Sequence, residues 1–570
     1  MIRLPMVKTL SSSLSSYSRI VVFAVVSLAA CGSLSQTAGA PDSEDPAEAN
    51  LQDLMVGEIA LQRGEVGLAA QTYLDVAKRT GDPRIARRAI EIASAARMPE
   101  LAAEAAGIWY AAEPSTQSLQ ALAAFLVGAK RVDEAEPYLE KLLDTSGVNV
   151  ESFFLQVNRL LAGNPDKAAN LRVVRKLAAR KPELAQAHFA VAQAAFAAGD
   201  DAAALESVRQ AEALRPDWEL AVIFEAQLLQ KRSPAEAGKR LAAFIEKNPG
   251  ARDARLNYAR MLVLDHRYAD ARKQFEAVLA ANPGNPDVTY AVGLLAFQLR
   301  DFPVAEQNLK KLLGSGYRDP NAVRYLLGQI AEEQKHWQQA IDWYKQIQTG
   351  DQAFAARLRT ANALARQGKI DEGRAFLQRI EPEGPGDRVQ LIVAEAQLLR
   401  DANRTRDAYD LLGGALKSEP EQPELLYDYA LTAEKMKRFD VLESNLRKLM
   451  QVKPDHAHAY NALGYSFAER NTRLPEARKL IEKALELAPD DYFIMDSMGW
   501  VLYRQGDLKG AARELQRAYD GRPDAEIGAH LGEVLWVLGD RGEADRVWKQ
   551  SLDSSPENET LLNTIKRLKR

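Results

Sequence analysis

The sequence lacks several features on which large enzymes depend. It has 570 residues but no strand-length runs of Val and Ile of the kind that an α/β enzyme of this size would show, and Ala, Leu, Glu, Arg and Gln dominate instead. A chain of this length is too long for one hydrophobic core. The composition therefore predicts an all-α fold. The fold consists either of several domains or of a repeat in which each unit adds its own part of the hydrophobic core.

Catalytic and cofactor-binding motifs are also missing. The sequence contains neither a His-Glu-x-x-His metal motif nor a Gly-x-x-x-x-Gly-Lys-Ser/Thr phosphate loop, and Gly384-Pro385-Gly386 indicates a turn. The pair His456 and His458 follows Pro454 in a predicted solvated turn. We therefore predict no enzyme activity, catalytic residue, cofactor or metal site. The alternative is an enzyme whose site lies in irregular repeats, which turnover or a tightly held metal would reveal.

Cysteine occurs once, at Cys31, so the chain has no internal disulfide. It follows the apolar run Ile20 to Ala30, which is too short to span a bilayer stably and is preceded by positive charges. This pattern predicts a signal peptide over residues 1–30. The ending Leu28-Ala29-Ala30-Cys31 resembles the bacterial lipobox, and the resemblance implies that Cys31 is lipidated. Cleavage after Ala38-Gly39-Ala40 is the alternative and would remove Cys31.

Residues 31–49 are predicted to be the acylated Cys31 followed by a flexible tether, because they are small, acidic and contain proline. Gly32 stands where enterobacterial lipoproteins kept at the inner membrane carry Asp, so the resemblance implies an outer-membrane anchor facing the periplasm. Loss of residues 1–30 removes three positive and no negative side chains and changes the formal charge from −4 to −7. An acidic mature chain argues against a nucleic-acid partner.

A repeat of about 34 residues fills the remaining sequence. The prolines Pro420, Pro454, Pro489, Pro523 and Pro556 stand 34, 35, 34 and 33 residues apart. Small residues recur between them at about the eighth and twentieth positions of each unit, and these are Ala430, Gly464, Gly499, Gly532, Ala477, Ala511 and Ala544. This pattern resembles the tetratricopeptide repeat, in which two helices pack as an antiparallel pair and the small residues allow close approach.

The resemblance implies a right-handed superhelical solenoid of about 15 tetratricopeptide-like helix pairs over residues 50–558. The signature positions weaken near residues 83–115, 151–182 and 219–250, where plain helical hairpins are expected. Residues 559–570 are predicted to form a capping helix with Leu561, Leu562, Ile565 and Leu568 on one face.

In proteins with this repeat, the first helix of each pair (helix A) lines a concave groove that binds ligands. The later repeats place many aromatic and polar residues at or beside the groove positions, and exposed aromatic residues are common in protein interfaces. The alternative is that these rings pack between neighbouring repeats. The predicted protein-binding groove consists of Tyr427, Asn461, Tyr465, Asp496, Trp500, Tyr503, Arg504 and Trp536.

A lipid-anchored repeat array that fills the chain resembles the proteobacterial outer-membrane lipoproteins that serve as adaptors for a periplasmic carboxyl-terminal processing protease. The resemblance implies other proteins as partners, namely such a protease and its substrates, which are often cell-wall hydrolases. It also implies contact with the membrane through the lipid on Cys31. The alternative function is a scaffold for exopolysaccharide export or outer-membrane assembly.

Overall fold

The computed structural model describes residues 46–569, and in this range all regular secondary structure is α-helical. The predicted signal peptide, Cys31 and residues 31–45 lie outside the described residues. Helix α1 begins at Pro46, so residues 46–49 are helical where the sequence predicts a tether. Proline is well accommodated in the first turn of a helix. The negative charge of Glu48 in the same turn interacts favourably with the positive end of the helix dipole.

The described chain divides into two compact units, of which the first ends at Pro216. Its ten helices form five pairs, and each pair consists of an A helix followed by a B helix. The helices are α1 (Pro46–Gln62), α2 (Val66–Thr80), α3 (Pro83–Ala95), α4 (Pro99–Ala112), α5 (Thr116–Gly128), α6 (Val132–Asp144), α7 (Val150–Leu161), α8 (Lys167–Ala179), α9 (Ala185–Ala197) and α10 (Asp201–Leu214).

The second unit begins at Asp217 and contains ten further pairs and a last single helix. Its helices are α11 (Glu219–Gln230), α12 (Pro234–Lys247), α13 (Arg252–Leu264), α14 (Tyr268–Ala281), α15 (Pro286–Gln298), α16 (Phe302–Gly314), α17 (Pro320–Glu333), α18 (Trp337–Tyr344), α19 (Ala353–Arg366), α20 (Ile370–Gln378), α21 (Pro385–Asp401), α22 (Thr405–Ser418), α23 (Pro423–Lys435), α24 (Phe439–Val452), α25 (Ala457–Glu469), α26 (Leu474–Leu487), α27 (Tyr492–Arg504), α28 (Leu508–Gly521), α29 (Ala525–Leu538), α30 (Arg541–Ser554) and α31 (Glu559–Leu568).

The prediction of an all-α fold made of repeated helix pairs is confirmed for residues 46–569. The three segments with weak signatures also contain helix pairs, namely α3 with α4, α7 with α8, and α11 with α12. Helix α7 is nevertheless unusual, because it packs mainly against α9 rather than against its own partner α8. The Asn158 side-chain amide supports this packing by donating to the Ala190 carbonyl oxygen at 2.8 Å.

The small residues at the eighth and twentieth positions bring the two helices of a pair into direct contact. A Cβ atom added at Gly464 would lie 2.7 Å from Cγ1 of Ile481 and 2.9 Å from the carbonyl oxygen of Ala477. Both distances are shorter than a van der Waals contact. Glycine at this position therefore sets the separation of α25 and α26.

Most turns from helix A to helix B contain a residue in the left-handed backbone conformation, with a positive φ. Five of these residues are glycines, but nine others are larger and accept the strain of a positive φ. The larger residues are Arg97, Lys130, His266, Arg300, Lys335, Asn403, Lys437, Asn471 and Arg473, of which the last two share one turn. Because many of these positions are not glycine, the sequence alone does not mark this turn clearly.

Helix α31 packs against α29 and α30 at the end of the described chain. Leu561 is completely buried, and Ile565 and Leu568 pack against the same core. The prediction was wrong for Leu562, which is 44% exposed. Residues three, four and seven positions after Leu561 share its face of the helix, whereas the next residue is rotated about 100° away.

Candidate protein-binding site

The predicted groove residues all lie on A helices of four consecutive repeats in the second unit. Tyr427 lies on α23, Asn461 and Tyr465 on α25, and Trp536 on α29, while the other four lie on α27. Helix α27 packs against both α25 and α29. A spacing of four residues on α25 and spacings of three and four residues on α27 place the predicted side chains of each of these two helices on one face. We call the surface formed by the predicted residues of α23, α25, α27 and α29 the A-helix face.

A buried ion pair forms the centre of this face. Nδ1 of His530 on α29 lies 2.9 and 3.0 Å from the two carboxylate oxygens of Asp496 on α27. Trp500 stacks on the imidazole with ring centroids 4.2 Å apart, and the Tyr465 ring lies 6.3 Å away. Burial lowers the pKa of His530, but the negative charges of Asp496, Glu469 and Glu533 outweigh this effect and the pKa is raised.

The structure corrects the expectation that Asp496 and Trp500 lie exposed in the groove. They are only 7% and 6% exposed, because both pack against the next repeat. The Trp500 indole N–H donates to Oε2 of Glu469 on α25 at 2.8 Å, so the polar end of the ring is also satisfied. These two side chains join neighbouring repeats, as the alternative interpretation of the aromatic residues predicts.

A second polar cluster links α27, α29 and α31. The Tyr503 hydroxyl donates to Oε1 of Glu533 at 3.1 Å, and Nη2 of Arg567 donates to Oε2 of the same carboxylate at 2.5 Å. Burial raises the pKa of Tyr503, and the Glu533 charge raises it further. Helix α31 thus supplies the cation that pairs with the buried Glu533. The helix packs on α29 in the place that the A helix of a further repeat would occupy.

The structure brings Tyr465, Asp496, Trp500, Tyr503 and Arg504 together around these two clusters. Nη2 of Arg504 donates to the Glu469 carbonyl oxygen at 3.3 Å, and its guanidinium lies 5.9 Å from the Trp500 ring. Tyr427 and Trp536 belong to other surroundings. The Tyr427 ring lies 5.3 Å from His456, and Trp536 packs against Trp548 at 5.6 Å with Arg541 at 4.9 Å over its ring.

Six of the predicted residues keep part of their side chain accessible, namely Tyr427, Asn461, Tyr465, Tyr503, Arg504 and Trp536. Two of their polar atoms, Oδ1 of Asn461 and Nε of Arg504, form no hydrogen bond with any residue between 46 and 569. Both atoms are buried, so they carry a cost within the fold and offer no contact point to a ligand on the surface. Sequence analysis missed the central residue His530, although it stands 34 residues after Asp496, at the same position of the next repeat.

The described residues offer no cluster of three or more His, Cys, Asp or Glu side chains arranged for a metal ion. Nδ1 of His456 instead accepts a hydrogen bond from the Ala459 N–H at 3.1 Å and caps helix α25. Burial lowers the pKa of His456. Among residues 46–569, we also find no helix with the length and apolar character required to cross a bilayer.

Paired helices at a constant period, with polar and aromatic side chains shared between successive A helices, define a helical-repeat scaffold. Two family models, both described as tetratricopeptide repeat, match this chain. One matches residues 290–354, 348–388 and 440–492, and the other matches residues 228–295. Repeats of this kind typically form binding scaffolds rather than catalytic domains.

The chain is 34% identical over 524 residues to the TPR repeat-containing protein PA4667 of Pseudomonas aeruginosa, and the match covers 91% of this chain and 88% of that protein. It therefore belongs to the tetratricopeptide-repeat family. It is also 29% identical over 320 residues to cellulose synthase operon protein C of Pseudomonas fluorescens. That match covers 52% of this chain but 24% of the Pseudomonas fluorescens protein, so it concerns about a quarter of that relative.

Solved structures similar to the chain include a tetratricopeptide repeat protein from Parabacteroides merdae and yeast Tom70. The first is 15% identical, with a TM-score of 0.33, and the match covers 50% of this chain and 99% of that one. The second is 14% identical, with a TM-score of 0.35, and the match covers 92% and 96% of the two chains.

Proposed function

We propose that this chain is a protein-binding adaptor that holds partner proteins on the A-helix face of its C-terminal repeats and performs no catalysis itself. The observation that carries the proposal is the set of partly accessible aromatic rings on consecutive A helices, namely Tyr427, Tyr465, Tyr503 and Trp536. Aromatic rings supply a large apolar contact area at a low entropic cost.

The specific role that we propose is to link a periplasmic carboxyl-terminal processing protease to its substrates, which include cell-wall hydrolases. Support comes from the lipobox-like sequence that ends at Cys31 and from the repeat layout of the rest of the chain. A lipid on Cys31 anchors the array to the outer membrane on its periplasmic side. Anchoring of both proteins on one scaffold raises their effective concentration, which promotes encounter without a new active site.

The partner test is an affinity pull-down from detergent-solubilised envelopes, with bound proteins identified by mass spectrometry. The wild-type chain is compared with the triple variant Tyr427→Ala/Tyr503→Ala/Trp536→Ala, whose side chains are only partly buried. Phe196→Ala, at an exposed aromatic side chain of the first unit, is the matched control. Loss of a processing protease or a cell-wall hydrolase in the triple variant alone supports the proposal, provided that circular dichroism shows the same helix content. Unchanged binding contradicts the proposed site.

A scaffold for exopolysaccharide export is the second candidate, because about half of this chain is similar to cellulose synthase operon protein C. The same pull-down distinguishes the two functions. Recovery of export or barrel-assembly components in place of a protease favours the second candidate.

The anchor is tested separately with Cys31→Ser. We expect this variant to lose incorporation of an alkyne-labelled fatty acid and to leave the outer-membrane fraction. Normal labelling of the variant would contradict acylation at Cys31.

A further inference from the structure

A cleft opens in the second unit where two successive B helices end early. Helices α18 and α20 contain only 8 and 9 residues, whereas the other B helices contain 13 to 15. The missing turns are replaced by the loops 345–352 and 379–384. Between these loops and helix α19 lies a cleft of about 970 Å³.

The floor of the cleft is apolar. Ile347 is buried, while Phe376 and Ile380 keep part of their surface accessible to the cleft. The A-helix residue Thr360 closes one side, and its hydroxyl already donates to the Ala356 carbonyl oxygen at 2.8 Å. The floor therefore favours an apolar side chain over a hydrated ion.

Three cations line the walls, namely Lys345, Arg357 and Arg379. Nη2 of Arg357 donates to the Gln348 carbonyl oxygen at 3.1 Å, which ties the loop 345–352 to helix α19. Neither Lys345 nor Arg379 forms an ion pair with any residue between 46 and 569. These cations can therefore bind a carboxylate without first breaking an internal salt bridge.

Two carboxylates, Glu381 and Glu383, also line the cleft. They make the lining mixed in charge, with three cations and two anions. A polyanion would be repelled by the two carboxylates, whereas a peptide combines apolar groups, a backbone and isolated charges of both signs.

We propose that this cleft binds an extended peptide segment of a partner protein, in which a carboxylate lies next to an apolar side chain. The apolar side chain packs on Ile347, Phe376 and Ile380, and the carboxylate pairs with Lys345 and Arg379. The carboxylate is either that of the peptide's C-terminus or that of an Asp or Glu side chain. This site goes beyond the A-helix face, with which it shares no residue.

The test measures fluorescence anisotropy of labelled six-residue peptides with the full chain. The probe is Gly-Ser-Gly-Ala-Asp-Leu with a free C-terminus. The comparison peptides carry an amidated C-terminus, Asn in place of Asp, or both changes. Loss of binding on amidation identifies the C-terminal carboxylate as the ligand, and loss on the change to Asn identifies the side-chain carboxylate. Binding that persists when both groups are neutral overturns the proposal.

Charge reversal in the variant Lys345→Glu/Arg379→Glu is expected to weaken binding of the probe about tenfold or more. Both side chains are exposed, so the thermal unfolding of this variant should match that of the wild type. Lys417→Glu reverses an exposed charge on α22 outside the cleft and should leave binding unchanged. Equal affinity of the double variant and the wild type, or no binding of the probe to the wild type, also overturns the proposal.

The groove variant Tyr427→Ala/Tyr503→Ala/Trp536→Ala separates the two sites. It should bind the probe peptide with unchanged affinity, even if it loses a partner in the pull-down. An equal loss of peptide binding in the groove variant would place the peptide on the A-helix face and overturn the assignment to the cleft.

Discussion

Nδ1 of His530 lies 2.9 Å from Oδ1 of Asp496, and both side chains are buried between successive A helices. The two residues are separated by 34 positions, which is one repeat. Arg567 and Glu533 repeat this relationship one unit later, again 34 positions apart. Successive A helices in this part of the chain are thus joined by charged pairs in addition to apolar packing, and His530 makes the junction of α27 and α29 sensitive to pH.

The variant Asp496→Asn should weaken the junction of α27 and α29 by about 3 kcal/mol near pH 6, because it leaves a buried imidazole without its counter-charge. The pKa of His530 is raised in the folded state. The pair therefore contributes its full stability below the ordinary histidine pKa of about 6.5 and loses it as the pH rises through the raised value. The difference between wild type and variant should shrink towards pH 9.

Hydrogen exchange of the α27 and α29 amides, measured by mass spectrometry between pH 6 and 9, checks this prediction after correction for the intrinsic exchange rate. Amides of the first unit serve as an internal control in the same experiment. A difference in protection that does not change with pH would contradict the predicted titration of His530 between pH 6 and 9.

Arg400 and Asp428 form a largely buried ion pair between α21 and α23. The Arg400 side chain is 8% exposed, and its Nη2 donates to Oδ1 of Asp428 at 2.7 Å. Burial raises the pKa of Asp428, and Arg400 opposes this effect. The variant Arg400→Leu should therefore lose about 3 kcal/mol of unfolding free energy at pH 7.5, and less at pH 5, because a lower pH favours the protonated, uncharged form of Asp428.

Urea unfolding at the two pH values measures this loss, and Asp428→Asn in the Arg400→Leu background should restore part of it. Arg406→Leu breaks an exposed pair with Asp410 on α22 and should cost less than about 1 kcal/mol. Equal losses in Arg400→Leu and Arg406→Leu would contradict the importance of burial.

Gly464→Ala should destabilise the pair α25 and α26 by about 1 to 3 kcal/mol, because the added methyl group meets the backbone of Ala477 as well as Ile481. Gly414→Ala on α22 is the matched control, since an added Cβ there has no heavy atom within 4 Å. Alanine has the higher helix propensity, so the control should be neutral or up to about 1 kcal/mol more stable. Thermal unfolding of the two variants should therefore shift in opposite directions or differ clearly in size.

Leu561→Ala should cost about 2 to 4 kcal/mol at the C-terminal end of the array, because this residue of α31 is completely buried against the core of α29 and α30. The adjacent Leu562 is 44% exposed, and Leu562→Ala should change the stability by less than about 0.5 kcal/mol. Limited proteolysis near residue 559 offers a direct measurement, with faster cleavage expected in Leu561→Ala. Similar cleavage of both variants would indicate that α31 does not cover the last repeat.

The sequence by itself determined the helical-repeat architecture of this protein. Helix A, the turn and helix B depend on residues close to one another in the chain, so the 34-residue period and the small residues such as Gly464 and Ala477 were sufficient to predict the pairs. The same local logic indicated a final helix after Pro556. The prediction was wrong for Leu562, because a rotation of one residue around the helix separates it from the buried face that carries Leu561.

Only the tertiary structure decided which side chains meet across repeats. The sequence predicts Asp496 and Trp500 as groove residues, but their burial against His530 and Glu469 depends on how three A helices rotate and stack. The cleft beside Phe376 likewise depends on two B helices ending early in adjacent repeats. Such contacts join residues about 30 positions apart in the chain. A periodic pattern specifies that the helices pack. It does not specify which polar atoms of neighbouring helices come within hydrogen-bonding distance.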